Sequence, residues 1–131
     1  MLETGIKHTQ EIIVTEDLTA DKIGSGKLPV YATPQMIALA ENTASDSVAP
    51  YLAEGEGTVG TLVNIRHVSA TPVGMKVRCE TTLAEIDRKR LVFSVEVYDE
   101  AGLIGEGTHE RFIIQNEKFM AKTEAKKQQN G

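Results

Sequence analysis

The stretch VYATPQMIALAENTA, residues 30–44, decides the fold because it begins the one long helix that the sequence predicts. At 100° per residue its apolar side chains fall on one arc and its polar side chains on the other. Thr33 is a good N-cap, Pro34 suits the first helical position, and Pro50 disfavours helix just before it. The sequence therefore predicts a helix from Thr33 to about Ala49. The apolar arc consists of Met36, Ile37, Ala40, Ala44 and Val48.

Glu41 is the one carboxylate at the edge of that apolar arc. A glutamate at such a position can simply reach solvent or form a salt bridge. If it is buried, it must be paired or have a raised pKa, and beside a histidine it could act as an acid, a base or a nucleophile. Both interpretations stay open on the pattern alone.

The rest of the chain has the period-two alternation of β-strands. One strand is predicted before the helix, over residues 8–16, and four follow it, over residues 58–68, 75–87, 91–99 and 103–114. Because short turns join the last four strands, we expect an antiparallel meander. One sheet and one long helix predict a two-layer α+β domain in which the sheet curls around the helix. A single such layer leaves edge strands and one sheet face to cover, which favours a homodimer.

Alternation in the strand 58–68 places His67 on the more apolar face and Gly60 on the other. The residues expected beside His67 are Val59, Thr61, Val63 and Ile65. His67 could be a core histidine held by hydrogen bonds, or a general acid or base, since imidazole titrates near neutrality. Gly60 inside a strand indicates a bulge, a packing contact or a close approach to a ligand.

The segment THER, residues 108–111, places His109 and Arg111 on one strand face and Glu110 on the other. Cross-strand charge pairing is one interpretation, and Arg111 as an anchor for a ligand oxygen is the other. The hydroxyl of Thr33 could cap the helix and still donate a second hydrogen bond. Cys79 lies on an apolar strand face and is expected in the core.

Composition bounds the protein class. The chain has 131 residues with 40% hydrophobic and 25% charged residues, as expected for one globular domain. We expect this domain over residues 1–122, followed by a polar, disordered tail over residues 123–131. The net charge of −5 argues against nucleic acid as the main partner.

The chain contains no apolar run near the ~20 residues of a membrane span, and its start lacks the apolar core of a signal peptide. A single cysteine allows no intrachain disulfide and no cysteine-based zinc site. A cytoplasmic protein is therefore expected.

Four segments in combination resemble the hot-dog-fold acyl-CoA thioesterases, and most closely the fluoroacetyl-CoA thioesterase and its relatives. They are YATPQMIALAENTA, APYLAEGEGTVGT with the strand through His67, ATPVG, and LIGEGTHERFIIQNEKFMAK. The resemblance extends from about Tyr31 to Lys122. It implies a hot-dog fold, with an antiparallel sheet wrapped around one central helix, and hydrolysis of an acyl-CoA thioester at a homodimer interface, with a dimer of dimers also open. No metal and no cofactor are implied, since CoA is part of the substrate.

The resemblance also implies roles for five residues. Thr33, Glu41 and His67 match the catalytic threonine, glutamate and histidine, and Gly60 and Arg111 match positions at the acyl end of the pocket. Glu41 would attack the thioester carbonyl or activate a water, and His67 would move the proton. Thr33 would orient Glu41 or bond the oxyanion.

The sequence departs from the fluoroacetyl enzyme at two places. Lys27 stands where the lid phenylalanine is expected, and Pro34 and Gln35 replace the small and aromatic residues expected after the threonine. The acyl group therefore stays open. Two other functions also stay open at this point: a hot-dog hydratase or dehydratase, and a non-catalytic acyl-CoA binding or sensing module.

Overall fold

The computed structural model describes residues 1–129 as five strands and four α-helices. Their bounds are β1 Lys7–Ile13, α1 Ala20–Ile23, α2 Thr33–Val48, β2 Glu56–His67, β3 Lys76–Asp87, β4 Arg90–Asp99, β5 Gly102–Gln115, α3 Asn116–Glu124 and α4 Lys126–Gln129. The predicted long helix and all five predicted strands are confirmed, with ends that differ by at most a few residues. Within residues 1–129, no helix has the length and apolar character needed to cross a bilayer.

All five strands form one antiparallel sheet in the order β1-β3-β4-β5-β2. The predicted meander holds for β3, β4 and β5, but it is wrong for β2, which pairs with β5 instead of β3. The connection over residues 68–75 therefore crosses from one end of the strand order towards the other. It is tied to the segment before α2 by the Val30–Pro72 bridge and by the amide of Tyr31, which donates to the carbonyl of Thr71 at 2.9 Å. As a result, β2 is a long edge strand.

Helix α2 packs on one face of this sheet through its predicted apolar arc. Met36, Ala40, Ala44 and Val48 are completely buried and Ile37 is half-buried. They pack against strand residues of the same face: Val77, Cys79, Leu83, Leu91, Phe93, Val95, Val97 and Ile104. The small alanines let the helix lie close to the sheet, and the expected core position of Cys79 is confirmed.

Thr33 is not the N-cap of α2, contrary to the prediction. Ala32 occupies the N-cap position, Thr33 is the first helical residue, and no side chain caps this helix. Proline is accepted at the following position because amides of the first turn have no intrahelical partner. The Thr33 hydroxyl bonds to His67 instead, so its side chain is used between the two layers and not within the helix.

The strand β2 contains a β-bulge next to Gly60, one of the interpretations that this glycine had offered, whereas the alternation pattern assumed an unbroken strand. Gly60 pairs with Arg111 and Leu62 pairs with Glu110, so Thr61 is an extra residue. An extra residue reverses the phase of the side chains on either side of it. Gly60 therefore faces α2 together with Arg111, and the predicted face that combined Val59 with His67 is wrong.

The end of the chain is helical as far as the structure describes it. Helix α3 covers residues 116–124 and α4 covers residues 126–129, and both are exposed where burial is described. The polar segment contains helix-forming Ala, Lys and Glu, which suits these short helices. The division into a domain over residues 1–122 and a disordered tail stays a prediction. Residues 130–131 lie outside the described residues.

Candidate active site

The first half of the site is a hydrogen-bonded pair between the two layers. Thr33 begins α2 and His67 ends β2, and the distance from Thr33 Oγ1 to His67 Nδ1 is 2.7 Å. The other ring nitrogen, Nε2, is buried and has no hydrogen-bond partner among residues 1–129. The imidazole is thus held at one nitrogen and, within these residues, unpaired at the other. A cavity of about 280 Å³ opens beside the pair.

The surroundings of His67 favour its neutral form. Burial lowers the pKa of His67, and its interaction with the Ser69 backbone only partly opposes this effect. The ring of Tyr31 meets the imidazole edge to face, with 6.4 Å between ring centroids. Burial raises the pKa of Tyr31 above its ordinary range, so this neighbour is uncharged as well. A neutral imidazole can accept a proton, which is what a general base requires.

The second half of the site lies further along α2, around Gly60. A side chain at Gly60 would start 2.8 Å from Glu41 Oε2 and 3.3 Å from Arg111 Nη1. Glycine therefore leaves open the space between a carboxylate and a guanidinium. A cavity of about 450 Å³ contains this space. Its lining residues are Ala38, Glu41, Asn42, Ser45, Thr58, Val59, Gly60 and Arg111.

Arg111 is held within the fold by neutral partners. Its side chain is nearly buried and donates from Nε to Thr58 Oγ1 at 2.8 Å, from Nη2 to the Thr58 carbonyl at 3.0 Å, and from Nη1 to His109 Nε2 at 3.2 Å. Burial lowers the pKa of Arg111 and the Glu41 carboxylate opposes this, and an arginine stays charged in either case. Cross-strand charge pairing, predicted as one interpretation of residues 108–111, does occur there. It is made by Glu110, whose Oε1 lies 2.9 Å from Nε of Arg90.

The two halves are separate within one copy of the chain. Thr33 and Glu41 are eight residues apart on α2, which is ~12 Å along the helix axis. His67 and Gly60 are seven residues apart on β2, which is ~23 Å along the strand. The fold therefore brings Thr33 to His67, and Glu41 to Gly60 and Arg111, but it does not bring all five together.

Three residues around the site were not assigned a role in it by sequence reasoning. Tyr31 packs against His67, and Thr58 and His109 hold Arg111. No local pattern marks Thr58 or Tyr31, because their contacts come from strands or segments distant in sequence. His109 was placed correctly on the face of Arg111, but not as its hydrogen-bond acceptor.

The described part of the chain has neither a cluster of metal-binding side chains nor a reactive thiol. No group of three His, Cys, Asp or Glu side chains that could hold a metal occurs among residues 1–129. Burial raises the pKa of the Cys79 thiol to about 11, so the protein holds it as a thiol and not as the nucleophilic thiolate.

Comparison with known proteins identifies the family of this chain. A family model described as fluoroacetyl-CoA-specific thioesterase matches residues 14–117. The chain belongs to this family. The fluoroacetyl-CoA thioesterase of Streptantibioticus cattleyicolor is 41% identical over 97 residues, which cover 74% of this chain and 70% of that protein. The predictions of the family and of a thioester hydrolase are thereby confirmed.

Solved structures agree with the family assignment. A structure of the fluoroacetyl-CoA thioesterase superposes with a TM-score of 0.91 at 34% identity, covering 96% of this chain and 98% of that chain. A thioesterase superfamily member from Thermus thermophilus gives a TM-score of 0.90 at 31% identity, covering 98% and 96% of the two chains. A hot-dog-like protein from Thermanaerovibrio acidaminovorans, 18% identical, has the same fold with a TM-score of 0.88, covering 95% and 93%. The predicted hot-dog fold is thus confirmed.

Proposed function

We propose that the protein hydrolyses the thioester of a small acyl-CoA to the free acid and CoA, with Thr33, Glu41 and His67 as catalytic residues. The observation that carries this proposal is the bond between Thr33 and His67, which leaves a buried imidazole nitrogen without a partner. The family supports the substrate class, since its members are named for the thioester of CoA.

The complete site needs two copies of the chain. Strand β2 is an edge with exposed apolar side chains at Leu62 and Val63, so it offers both backbone pairing and apolar contact to a second copy. Antiparallel pairing of two β2 strands, centred between Val63 and Asn64, sets His67 of one copy opposite Gly60 of the other. The Thr33–His67 pair of one copy would then face the acyl pocket of the other, with its Glu41 and Arg111. A homodimer with two composite sites is the result.

Hydrolysis in this site adds water across the thioester and releases an acid and a thiol. The carboxylate of Glu41 either takes the proton of the attacking water or itself adds to the carbonyl, forming an anhydride that water opens. The neutral imidazole of His67 accepts the proton of the water at its free nitrogen, directly or by way of Glu41, and then delivers that proton to the departing CoA sulfur. The Thr33 hydroxyl and the amides at the start of α2 stabilise the negative charge on the carbonyl oxygen.

The pocket around Gly60 suits a small acyl group with a polar end. Glu41 and Arg111 approach the same open space from two sides, which limits the length of a chain that fits between them. Arg111 has hydrogen-bond donors left for a polar acyl substituent. The segment that holds Lys27 has no aromatic side chain among residues 21–30, so nothing there supports a fluoroacyl preference over other small acyl groups.

The test is release of free thiol from a panel of acyl-CoAs, followed with a thiol-reactive dye. The panel contains acetyl-, fluoroacetyl-, short branched, phenylacetyl- and longer-chain esters, and Glu41→Gln is the control. Small esters should be hydrolysed, and the control should lose most of the turnover while keeping its thermal unfolding midpoint. Solvent ¹⁸O found in the Glu41 carboxylate after a single turnover would identify the anhydride path.

Two results would contradict the proposal. Binding of CoA esters without release of thiol would indicate a sensing module. Water addition to an enoyl-CoA without thiol release would indicate a hydratase.

A further inference from the structure

We infer that His109 is a positioning residue that fixes the Arg111 guanidinium in the acyl pocket, by acting as a neutral acceptor at Nε2. This inference rests on the proposed function, because it assigns a role towards the acyl group of that reaction. His109 is not in contact with the reacting atoms in this assignment. It acts through Arg111.

The two partners of the His109 ring fix its tautomer. Nδ1 lies 2.8 Å from the Leu62 carbonyl, which can only accept, so Nδ1 carries the proton. Nε2 lies 3.2 Å from Nη1 of Arg111, which can only donate, so Nε2 presents its lone pair. A second proton on the ring would point an N–H at the guanidinium. The ring is completely buried and stacks on Phe93 at 6.3 Å between centroids, so its plane is fixed as well.

The β-bulge in β2 supplies the carbonyl that selects this tautomer. The bulge falls between Gly60 and Leu62. The carbonyl of Leu62 accepts the hydrogen bond from Nδ1 of His109. It also brings Gly60 beneath the Glu41 carboxylate. One irregularity in the edge strand therefore serves both the open space of the pocket and the orientation of the side chain that holds Arg111.

The geometry connects His109 to the acyl pocket and not only to the core. A side chain at Gly60 would start 3.2 Å from Cε1 of His109 and 3.3 Å from Nη1 of Arg111. The imidazole and the guanidinium thus border the same space, opposite Glu41. Thr58 and His109 together use three of the five N–H groups of Arg111, which leaves one on each Nη for a ligand.

A matched pair of substitutions separates the positioning role from core filling. In His109→Gln, the amide oxygen can reach the place of Nε2 and still accept from Arg111. In His109→Asn, the amide nitrogen can take the place of Nδ1 and still donate to Leu62, but no acceptor reaches Arg111. Both variants remove an aromatic ring from the same buried position, so their costs in stability should be similar.

The first measurement is kcat and KM for acetyl-CoA and for a small acyl-CoA with a polar substituent. His109→Asn should lose roughly tenfold in kcat/KM for the polar ester, because a hydrogen bond to a charged group is lost. The loss should be mainly in KM, since the guanidinium holds the acyl group and not the reacting carbonyl. His109→Gln should retain most of the wild-type value. In an Arg111→Met background the two substitutions should no longer differ. The inference would be overturned if both variants lost kcat/KM equally and in proportion to the fall in their thermal unfolding midpoints.

The second measurement needs no turnover, which separates this inference from the proposed function. ¹⁵N–¹H spectra of the wild-type protein should show His109 as the neutral tautomer with its proton on Nδ1. Rotation of the Arg111 guanidinium NH2 groups about the Cζ–Nη bonds should be slow in the wild type and in His109→Gln. It should be faster in His109→Asn. If no acyl-CoA is hydrolysed by the wild type, the proposed function fails while this result still decides the positioning role. A protonated His109, or the same Arg111 mobility in both variants, would overturn it.

Discussion

Thr33 and His67 are 34 residues apart in sequence, and their side chains meet at 2.7 Å between the start of α2 and the end of β2. This bond joins the helical layer to the edge strand that is the expected dimer contact. It also removes the threonine hydroxyl from helix capping, since the N-cap position belongs to Ala32. The Thr33 hydroxyl is therefore free for the role proposed in the site, and it caps no amide of α2.

Because the Thr33 hydroxyl bonds to His67 and does not cap the helix, substitutions of Thr33 should affect activity more than stability. Thr33→Ala should reduce kcat/KM by about tenfold or more, because His67 and the oxyanion each lose a hydrogen-bond partner. Thr33→Ser should retain most of the activity, since the hydroxyl remains. The side chain is exposed and caps nothing, so Thr33→Ala should lower the free energy of unfolding by no more than the ~0.5–1.5 kcal/mol of its one hydrogen bond to His67. Urea unfolding of Thr33→Ala, alone and in a His67→Ala background, checks this. A loss that persists in the His67→Ala background would instead indicate a capping role.

Mixed dimers test the composite site. Glu41→Gln and His67→Ala homodimers should each be nearly inactive. In a heterodimer of the two variants, one site receives an intact His67 from one copy and an intact Glu41 from the other. We expect that site to restore about half of the wild-type turnover per dimer. Co-expression with two different affinity tags isolates the heterodimer, and thiol release measures it. An inactive heterodimer would show that each copy uses its own Glu41 and His67.

Gly60→Ala should close the acyl pocket. The added methyl group would lie 2.8 Å from Glu41 Oε2, so the carboxylate must move away from its position over the strand. We expect kcat/KM to fall by more than about tenfold, with larger acyl groups affected most, because a misplaced catalytic group is costly. Steady-state kinetics with acetyl-CoA and a branched ester check this. Gly74→Ala, at a site with open space but a positive φ of 96°, is a control for general effects of replacing glycine. Unchanged kinetics in Gly60→Ala would contradict the proposed pocket.

The pH dependence of turnover should show the neutral state of His67. Burial lowers the pKa of this imidazole in the folded protein. The acid limb of the kcat/KM profile should therefore have its midpoint below about 6.5, the ordinary value for histidine. A profile from pH 4.5 to 8 with a small ester measures it. A midpoint above that value would mean that the charged imidazole is favoured in the folded protein.

The pH dependence of the free energy of unfolding should show the lowered pKa of His109. Burial is the largest cause that lowers the pKa of His109, and Arg111 adds to the effect. The hydrogen bond to the Leu62 backbone, Glu41 and Glu110 oppose it. Because the folded pKa is depressed, unfolding takes up a proton as the pH falls below about 6.5. The contribution to stability is complete above that pH and is lost towards the depressed folded pKa. Urea unfolding at pH 7.5, 6.0 and 5.0 should show a smaller acid loss in His109→Gln than in the wild type. An equal loss would contradict the prediction.

Much of the fold could be predicted from local periodicity. The 3.6-residue pattern fixed α2 and its buried arc, as Met36 and Ala44 show, and the period of two fixed which residues of β5 face the helix. His109 and Arg111 are buried on one side while Glu110 pairs with Arg90 on the other. These features depend on neighbours in the chain, because backbone geometry alone decides where each side chain points.

Features that depend on pairing between distant segments could not be predicted in this way. The position of β2 beside β5 and the acceptor role of His109 each depend on a strand register. Gly60 indicated a bulge as one interpretation, but the change of side-chain face that the bulge causes was not predicted. The local pattern predicted a helix amide as the partner of Thr33, and the resemblance added Glu41 or the oxyanion, whereas in the structure its hydroxyl bonds to His67 and caps nothing.

The sequence by itself therefore determined the elements of this protein, their apolar faces and the types of side chain available for chemistry. Only the tertiary structure decided that Thr33 meets His67, that Glu41 and Arg111 share the space over Gly60, and that one copy separates these two groups. The physical reason is that periodicity records the conformation of each segment. The distances between segments are set by which strand edges pair and at what register, through contacts that are far apart in sequence.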